Sequence, residues 1–466
     1  MALSRIWSAF IIIALFSAGY KLFFVKGNEQ ILGSMVTGKS GDTIKISRLD
    51  SAAIPLSVWH QTDSGKLVTN GNVQVRRTSG NQVQTFRIQS ADGIIETCLT
   101  AVNLCLRLVG FLALFMGFLS IAEKAGGIRF LSRLIGPFFS KIFPEVPRNH
   151  PAMGHMMMNF SANLLGLDNA ATPFGIKAME SLQELNPRKE TASNAQIMFL
   201  CLHASGLTLI PVSIIALRSA AKAENPMDIF IPCLIATFVA TIAAMLIVSI
   251  KQKINVFQPV ILAWVLGISA LIASLVVYIR SLGTEEVQVF STSLSSGIIL
   301  LIFLLIIGAG IYKRIDVFDA FISGAKGGFE TAVRIIPYLV GMLVAISLLR
   351  TSGTFDNLIQ GMKELFAWMG TDTRFVDGLP TALVKPFSGG AARGMMVDTM
   401  KTYGADSFAG RLSCILQGSS DTTFYVIAVY FGAISVKDTR YTVGAMLLAD
   451  LVGILTSILL AYLFFG

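Results

Sequence analysis

Nine runs in this sequence are apolar over roughly the 20 residues that a helix needs to cross the hydrocarbon of a bilayer. They lie at 6–24, 97–122, 194–217, 228–250, 258–279, 293–312, 331–349, 408–432 and 441–465. Backbone polar groups cannot be left facing lipid, so such runs must form helices that satisfy their own hydrogen bonds. Charged residues make up 14% of the 466 positions, against about 25% in soluble domains, and a soluble globular fold is excluded. The expected class is an all-α integral membrane protein.

The first run follows Arg5, and no convincing small-x-small cleavage site comes after it. It reads as an uncleaved helix rather than a signal peptide. The net charge of +9 would suggest nucleic acid in a soluble chain, but here many lysines and arginines fall in loops between spans and report orientation instead. The basic segments 251–253, 312–314 and 436–440 go to the cytoplasm, while 283–288, without a positive charge, goes outside. The amino terminus is then cytoplasmic and the carboxyl terminus external, with Arg218, Lys222 and Arg350 as exceptions on the outer side. Cys98, Cys105, Cys201, Cys233 and Cys414 all sit in apolar segments without metal-ligand spacing and read as small buried hydrophobes. Neither a metal nor a cofactor is expected.

Between residues 26 and 92 lies a polar insert that alternates as strands do at 42–47, 73–77 and 84–89, with turn signals between. It is expected to form a small β-rich extramembrane element on the outer face. Gly33 to Ser40 matches GxxxxGK[ST], but a β-like run follows where a phosphate loop needs a helix, so the match is refused.

The two halves echo one another in a shared order: 18–21 with 310–313, 93–97 with 327–331, 121–126 with 348–353, 150–166 with 379–394, and 200–217 with 414–431. The organisation expected is a first helix (1–25), the insert (26–92), the rest of repeat 1 (93–255), a linker helix with an outer loop (256–289), and repeat 2 (290–466). The linker adds one crossing, which makes the repeats inverted. Inverted repeats with interrupted helices and re-entrant hairpins near the midplane are the architecture of many secondary transporters.

Four polar breaks interrupt the apolar runs. In Asn159 to Glu180 the break carries Asn163, Asp168, Asn169 and Thr172, with Thr172 as the expected N-cap and Pro173 as the first helical residue. Its counterpart is Ser388, Gly389, Gly390 and Arg393, in which two glycines break the helix and Ser388 caps the next one. The other two are His203, Ser205 and Thr208, and Gln417, Ser419, Ser420, Asp421 and Thr422. Such residues often only join helices, and His203 fits a satisfied core histidine as well as a proton relay. An intramembrane carboxylate is costly, by about 3 kcal/mol on insertion scales, and usually marks a pathway or ion site, which singles out Asp168 and Asp421. Lys385, Arg393 and Arg411 could pair with Asp398, Asp406 and Asp421 or attract an anion. The chain has no HExxH or GxSxG motif, and the paired aspartates match no protease pattern, so no enzyme is expected.

The stretches HPAMG and NFSANLLGLDNAATPFGIKAME resemble the spore maturation protein A family. RIIPYLVGMLVAISLLRTSG, KPFSGGAARGMM and LQGSSDTTFYVIAVYFGA resemble spore maturation protein B. The chain is thus similar to a natural fusion of the two, except over 26–92 and 258–279. The resemblance implies multi-pass proteins of the bacterial inner membrane, in the nucleoside recognition or gate-domain group. The expected function is a transporter or permease in which the four breaks bind a polar small molecule, with H+ or Na+ as coupling ion. Membrane lipid is a partner, nucleic acid is not, and homo-oligomerisation is left open. The rival readings are a non-transporting envelope or spore-maturation factor and a handler of a lipid-linked substrate.

Overall fold

The computed structural model describes residues 2–25, 28–50, 68–70, 73–77, 82–91, 93–147, 149–165, 168–281 and 284–466. Helix α1 (Ala2–Phe24) precedes a short helix α2 (Ile31–Thr37). An antiparallel sheet follows, made of β1 (Lys39–Asp50), β2 (Val68–Asn70), β3 (Val73–Arg77) and β4 (Gln82–Ala91) in the order β1-β4-β3-β2. Its register pairs Lys39 with Ala91 and Asp50 with Gln82. Most of the Gly33 to Ser40 match belongs to α2, not to a loop that could wrap an anion.

A long helix α3 (Ile94–Lys124), a short helix α4 (Gly127–Ile142) and a helical hairpin, α5 (Pro151–Leu164) with α6 (Asp168–Leu185), come next. A span broken into α7 (Asn194–Ser205) and α8 (Val212–Ala220) leads to a long helix α9 (Phe230–Gln252). Helices α10 (Pro259–Arg280) and α11 (Thr284–Tyr312) intervene. The succession of long helix, short helix, hairpin, broken span and long helix then recurs. Its members are α12 (Val317–Thr351), α13 (Thr354–Trp368), the hairpin of α14 (Leu379–Val384) and α15 (Gly389–Tyr403), the broken pair α16 (Phe408–Gly418) and α17 (Thr423–Ala433), and α18 (Thr442–Phe465).

Among the described residues seven helices are long and apolar enough to cross a membrane: α1, α3, α9, α10, α11, α12 and α18. The protein is a multi-pass membrane protein. The other two expected spans, 194–217 and 408–432, are each two half-helices, because their polar clusters divide them into pieces of 12 and 9 residues and of 11 and 11.

The chain packs as two units. One comprises residues 6–100 and 343–360, in which Lys21 Nζ donates to the Ser352 carbonyl at 2.6 Å and the Arg350 guanidinium lies 4.5 Å from the Phe355 ring centroid. The other comprises 1–5, 101–342 and 361–466 and contains both broken spans. Its core includes Met198, Phe199, Leu200, Tyr430 and Phe431, all essentially inaccessible. Small residues let α9 and α18 approach closely, as membrane helices require: a Cβ added at Gly453 would sit 3.4 Å from that of Ala240.

Local sequence explains where these helices start. Ser193 and Gln196 form a reciprocal capping box at α7, with Ser193 N donating to Gln196 Oε1 at 2.8 Å. Ser407 accepts the Gly410 N–H at the start of α16. A charged clamp ties the end of α8 to the start of α16. Arg218, fully buried, donates to Asp228 at 2.8 Å, to Asp406 at 3.0 Å and to the Ala405 carbonyl at 2.6 Å, while Arg411 Nε donates to the other oxygen of Asp228 at 2.7 Å. Burial pushes the Asp228 carboxyl upward, and Arg218 and Arg411 oppose it.

Candidate functional site

Unwound backbone inside a membrane must find partners within the protein, and the two broken spans find theirs in corresponding places. Leu209 N donates to the Leu164 carbonyl at 2.8 Å, fastening the first break to the end of α5. Phe424 N donates to the Pro386 carbonyl at 2.9 Å, fastening the second to the turn between α14 and α15. Asp421 N donates to the Ala204 carbonyl at 2.6 Å and so joins one break to the other. Gly206 ends α7 in the left-handed conformation, at φ 62°, where it passes close to Asp421 N.

The second half supplies a cavity of about 460 Å³. Ser388, Gly389, Gly390, Arg393, Gln417, Ser420, Asp421 and Thr422 all line it, so eight of the candidate residues converge there. Ser388 caps α15 as expected: its side chain accepts the Ala391 N–H at 3.1 Å. Gly389 is pressed against its neighbour, since an added Cβ would lie 2.6 Å from Thr422 Oγ1. Lys385, 5% exposed, also lines the cavity; its Nζ donates to the carbonyls of Leu416 at 2.8 Å and Gln417 at 2.5 Å, capping the negative end of α16. Phe387 and Phe424 stack at the cavity wall with centroids 5.1 Å apart.

The first-half candidates form a separate polar network. Asn159 donates to the Ala171 carbonyl at 2.7 Å, which turns its oxygen to His203 Nδ1 at 3.1 Å. The Tyr430 hydroxyl lies 3.0 Å from Nε2, so both ring nitrogens have partners. The Asn163 amide lies 2.8 Å from the same Nδ1. His203 is therefore a satisfied buried histidine that ties α5, α7 and α17 together. Ser205 bonds Thr241 at 3.0 Å and Thr208 bonds the Gly206 carbonyl at 3.0 Å, while Ser419 is turned back on the Leu416 carbonyl at 2.9 Å. None of these three lines the cavity.

Thr172 is not an N-cap. Helix α6 starts at Asp168 and carries Pro173 inside it. A proline this close to a helix start removes one backbone bond and is tolerated in membrane helices whose neighbours re-satisfy the freed groups. The side chains of Asp168 and Asn169 lie outside the described residues.

For Lys385 the sequence offers an ion pair or attraction of an anion; the structure places it in the cavity wall with its ammonium on two backbone carbonyls. Asp450 went unnoticed: it is 7% exposed, sits within α18, and accepts a hydrogen bond from Thr423 Oγ1. The rule that singles out Asp168 and Asp421 applies equally to an aspartate inside the 441–465 run.

A family profile for gate domains, described as nucleoside recognition, matches residues 105–221 and 332–437. Spore maturation protein B of Bacillus subtilis (strain 168) is 46% identical over 157 residues, which cover 34% of this chain and 86% of that protein. Spore maturation protein A of the same strain is 40% identical over 156 residues, 34% of this chain and 80% of that protein. No solved structure matches. With two gate segments and relatives covered over most of their own length, the chain belongs to the family of the spore maturation proteins A and B, gate-domain membrane proteins of the nucleoside recognition group.

Proposed function

We propose that the protein is a permease of the bacterial inner membrane that carries a polar small molecule through the cavity between the α14–α15 turn and the second broken span. The observation that supports this most is the meeting of two broken spans through a backbone hydrogen bond beside a polar cavity that opens onto the start of a half-helix. Binding sites of secondary transporters use this combination, with helix starts facing the substrate and unwound carbonyls facing the coupling ion. The recurring element order supports two inverted repeats related through the extra helix α10, and the basic loops support a cytoplasmic amino terminus with the 26–92 insert outside. Asp421 and Asp168 are the proposed carriers of H+ or Na+. The family description makes nucleosides the first substrates to try.

The test is uptake into proteoliposomes of labelled nucleosides, nucleobases and dicarboxylates, each with a proton or sodium gradient, in wild type and in the Asp168→Asn/Asp421→Asn double variant. Gradient-driven uptake lost in the folded variant supports the reading. Absence of uptake across the panel, together with loss of cellular function on deleting residues 30–88, moves the protein to the envelope-factor reading.

A further inference from the structure

We infer that the cavity takes an organic anion, a molecule bearing a phosphate or carboxylate group that docks between Arg393 and the start of α15; this rests on the permease reading of the same site. Two cationic side chains, Lys385 and Arg393, line the cavity, against one carboxylate, Asp421. Lys385 already spends two of its donors on carbonyls. Asp421 is engaged by the N–H of Thr422 at 2.7 Å. Asp450, the other carboxylate within electrostatic reach of Lys385, bonds Thr423 and does not line the cavity.

Arg393 is different. It is half-buried, lines the cavity, and has no ion pair among the described residues. A guanidinium held inside a membrane protein without a counter-charge is costly, and its planar fork suits phosphate or carboxylate oxygens better than any neutral group. One turn away on the same helix, Gly389 and Gly390 bring α15's first N–H groups to the cavity without side chains in the way, and the Ser388 cap leaves those groups free by taking Ala391 instead. The arrangement adds the positive end of a 15-residue helix to the two cations.

A second, independent observation concerns Gln417, whose Oε1 is buried against the cavity with no hydrogen-bond partner among the described residues. Whichever way that amide is turned, it presents a group wanting a partner. The volume, about 460 Å³, falls within the range of about 300 to 1,000 Å³ typical of sites for organic molecules and is far larger than an inorganic ion needs. The stacked Phe387 and Phe424 offer an apolar face beside the charged groups. The ligand so defined has an anionic group for Arg393, a hydrogen-bonding group for Gln417 and an apolar or ring portion for the phenylalanines.

The experiment is thermal unfolding of the full-length protein in nanodiscs of zwitterionic lipid, at constant ionic strength. The probes are a nucleoside, its 5′-monophosphate, succinate and inorganic phosphate, with wild type, Arg393→Gln and Arg393→Lys. The expected result is stabilisation by the monophosphate or by succinate, at least tenfold weaker in apparent affinity for Arg393→Gln and partly restored in Arg393→Lys. A nucleoside that stabilises wild type and Arg393→Gln equally, with no gain from its phosphate, overturns the anion and leaves the permease reading standing. Anion stabilisation indifferent to residue 393 also overturns it. If Arg393→Gln does not fold, the Arg393→Lys protein carries the test, since geometric loss of the fork should weaken the anion and spare the neutral nucleoside. A shift that appears only when phosphatidylglycerol replaces the zwitterionic lipid, and that disappears in Arg393→Gln, supports the same anion site with a lipid phosphate as its source. Silence of every anion in both lipids overturns the proposal, while uptake of a neutral solute by the same preparation would keep the permease reading.

Discussion

Replacing Arg218 with methionine tests whether the charged clamp between α8 and α16 holds the fold together. The arginine is fully buried and makes hydrogen bonds to the carbonyls of Ala405, Asn225 and Pro226 and to the carboxylates of Asp228 and Asp406. Breaking a buried pair by removing one partner costs about 3 to 5 kcal/mol, because the other charge stays buried. Arg411 remains on Asp228 at 2.7 Å, so the lower end, about 3 kcal/mol, is expected. Denaturant titration in mixed micelles measures it. The double variant Arg218→Met/Asp228→Asn separates the two contributions: if the orphaned carboxylate causes the loss, the double is no worse than the single, with a coupling of about 1 to 3 kcal/mol.

The pH dependence has a defined sign. Burial raises the Asp228 carboxyl above its ordinary value of 3.8, so the folded state keeps a proton that the unfolded chain releases. Stability from this group therefore falls as pH rises through the window above 3.8 and is flat beyond it. Removing Arg218 widens the window upward, so the deficit should be larger at pH 7.5 than at pH 5. A deficit below about 1 kcal/mol, or strict additivity in the double variant, refutes the reasoning.

Gly175→Ala places a Cβ 2.5 Å from Tyr430 Cε1 and 2.8 Å from Asn159 Nδ2; a loss of about 1 to 3 kcal/mol is expected, and unchanged unfolding would show that Tyr430 can step aside. Ser388→Ala removes the α15 cap and should cost about 1 kcal/mol, whereas Ser388→Gly should cost only a few tenths; paired thermal scans of the two variants read the difference. Asp450→Asn keeps a partner for Thr423 and deletes a charge, so gradient-driven uptake is expected to fall at least tenfold with little change in unfolding temperature. Full uptake would take Asp450 out of the coupling machinery.

What could be read from the sequence follows the range of the interactions. The breaks at 203–208 and 417–422 were legible because clusters of polar residues interrupt an otherwise apolar run, and the Ser388 cap because a short side chain before two glycines carries its own geometry. The start of α6 was misread because the preference for proline at a first helical position is only a tendency, and neighbouring helices can rescue a proline further in. Asp450 was readable and overlooked. The Arg218 clamp was not readable, since it joins residues 187 and 188 positions apart in the chain. Nor was the separation of His203 from the cavity: a histidine and an aspartate at corresponding breaks give no sign that one is fully engaged by Asn159 and Tyr430 while the other faces open space.

The bond from Asp421 N to the Ala204 carbonyl is written in main-chain atoms, so it belongs to no side chain. A scan of single substitutions would pass over it: every residue but one can supply the same N–H. Proline at 421, or a backbone ester there, is the change that cuts it. The joint between the two halves is thus buffered against mutation, leaving the side chains around it free to diverge while the halves stay fastened.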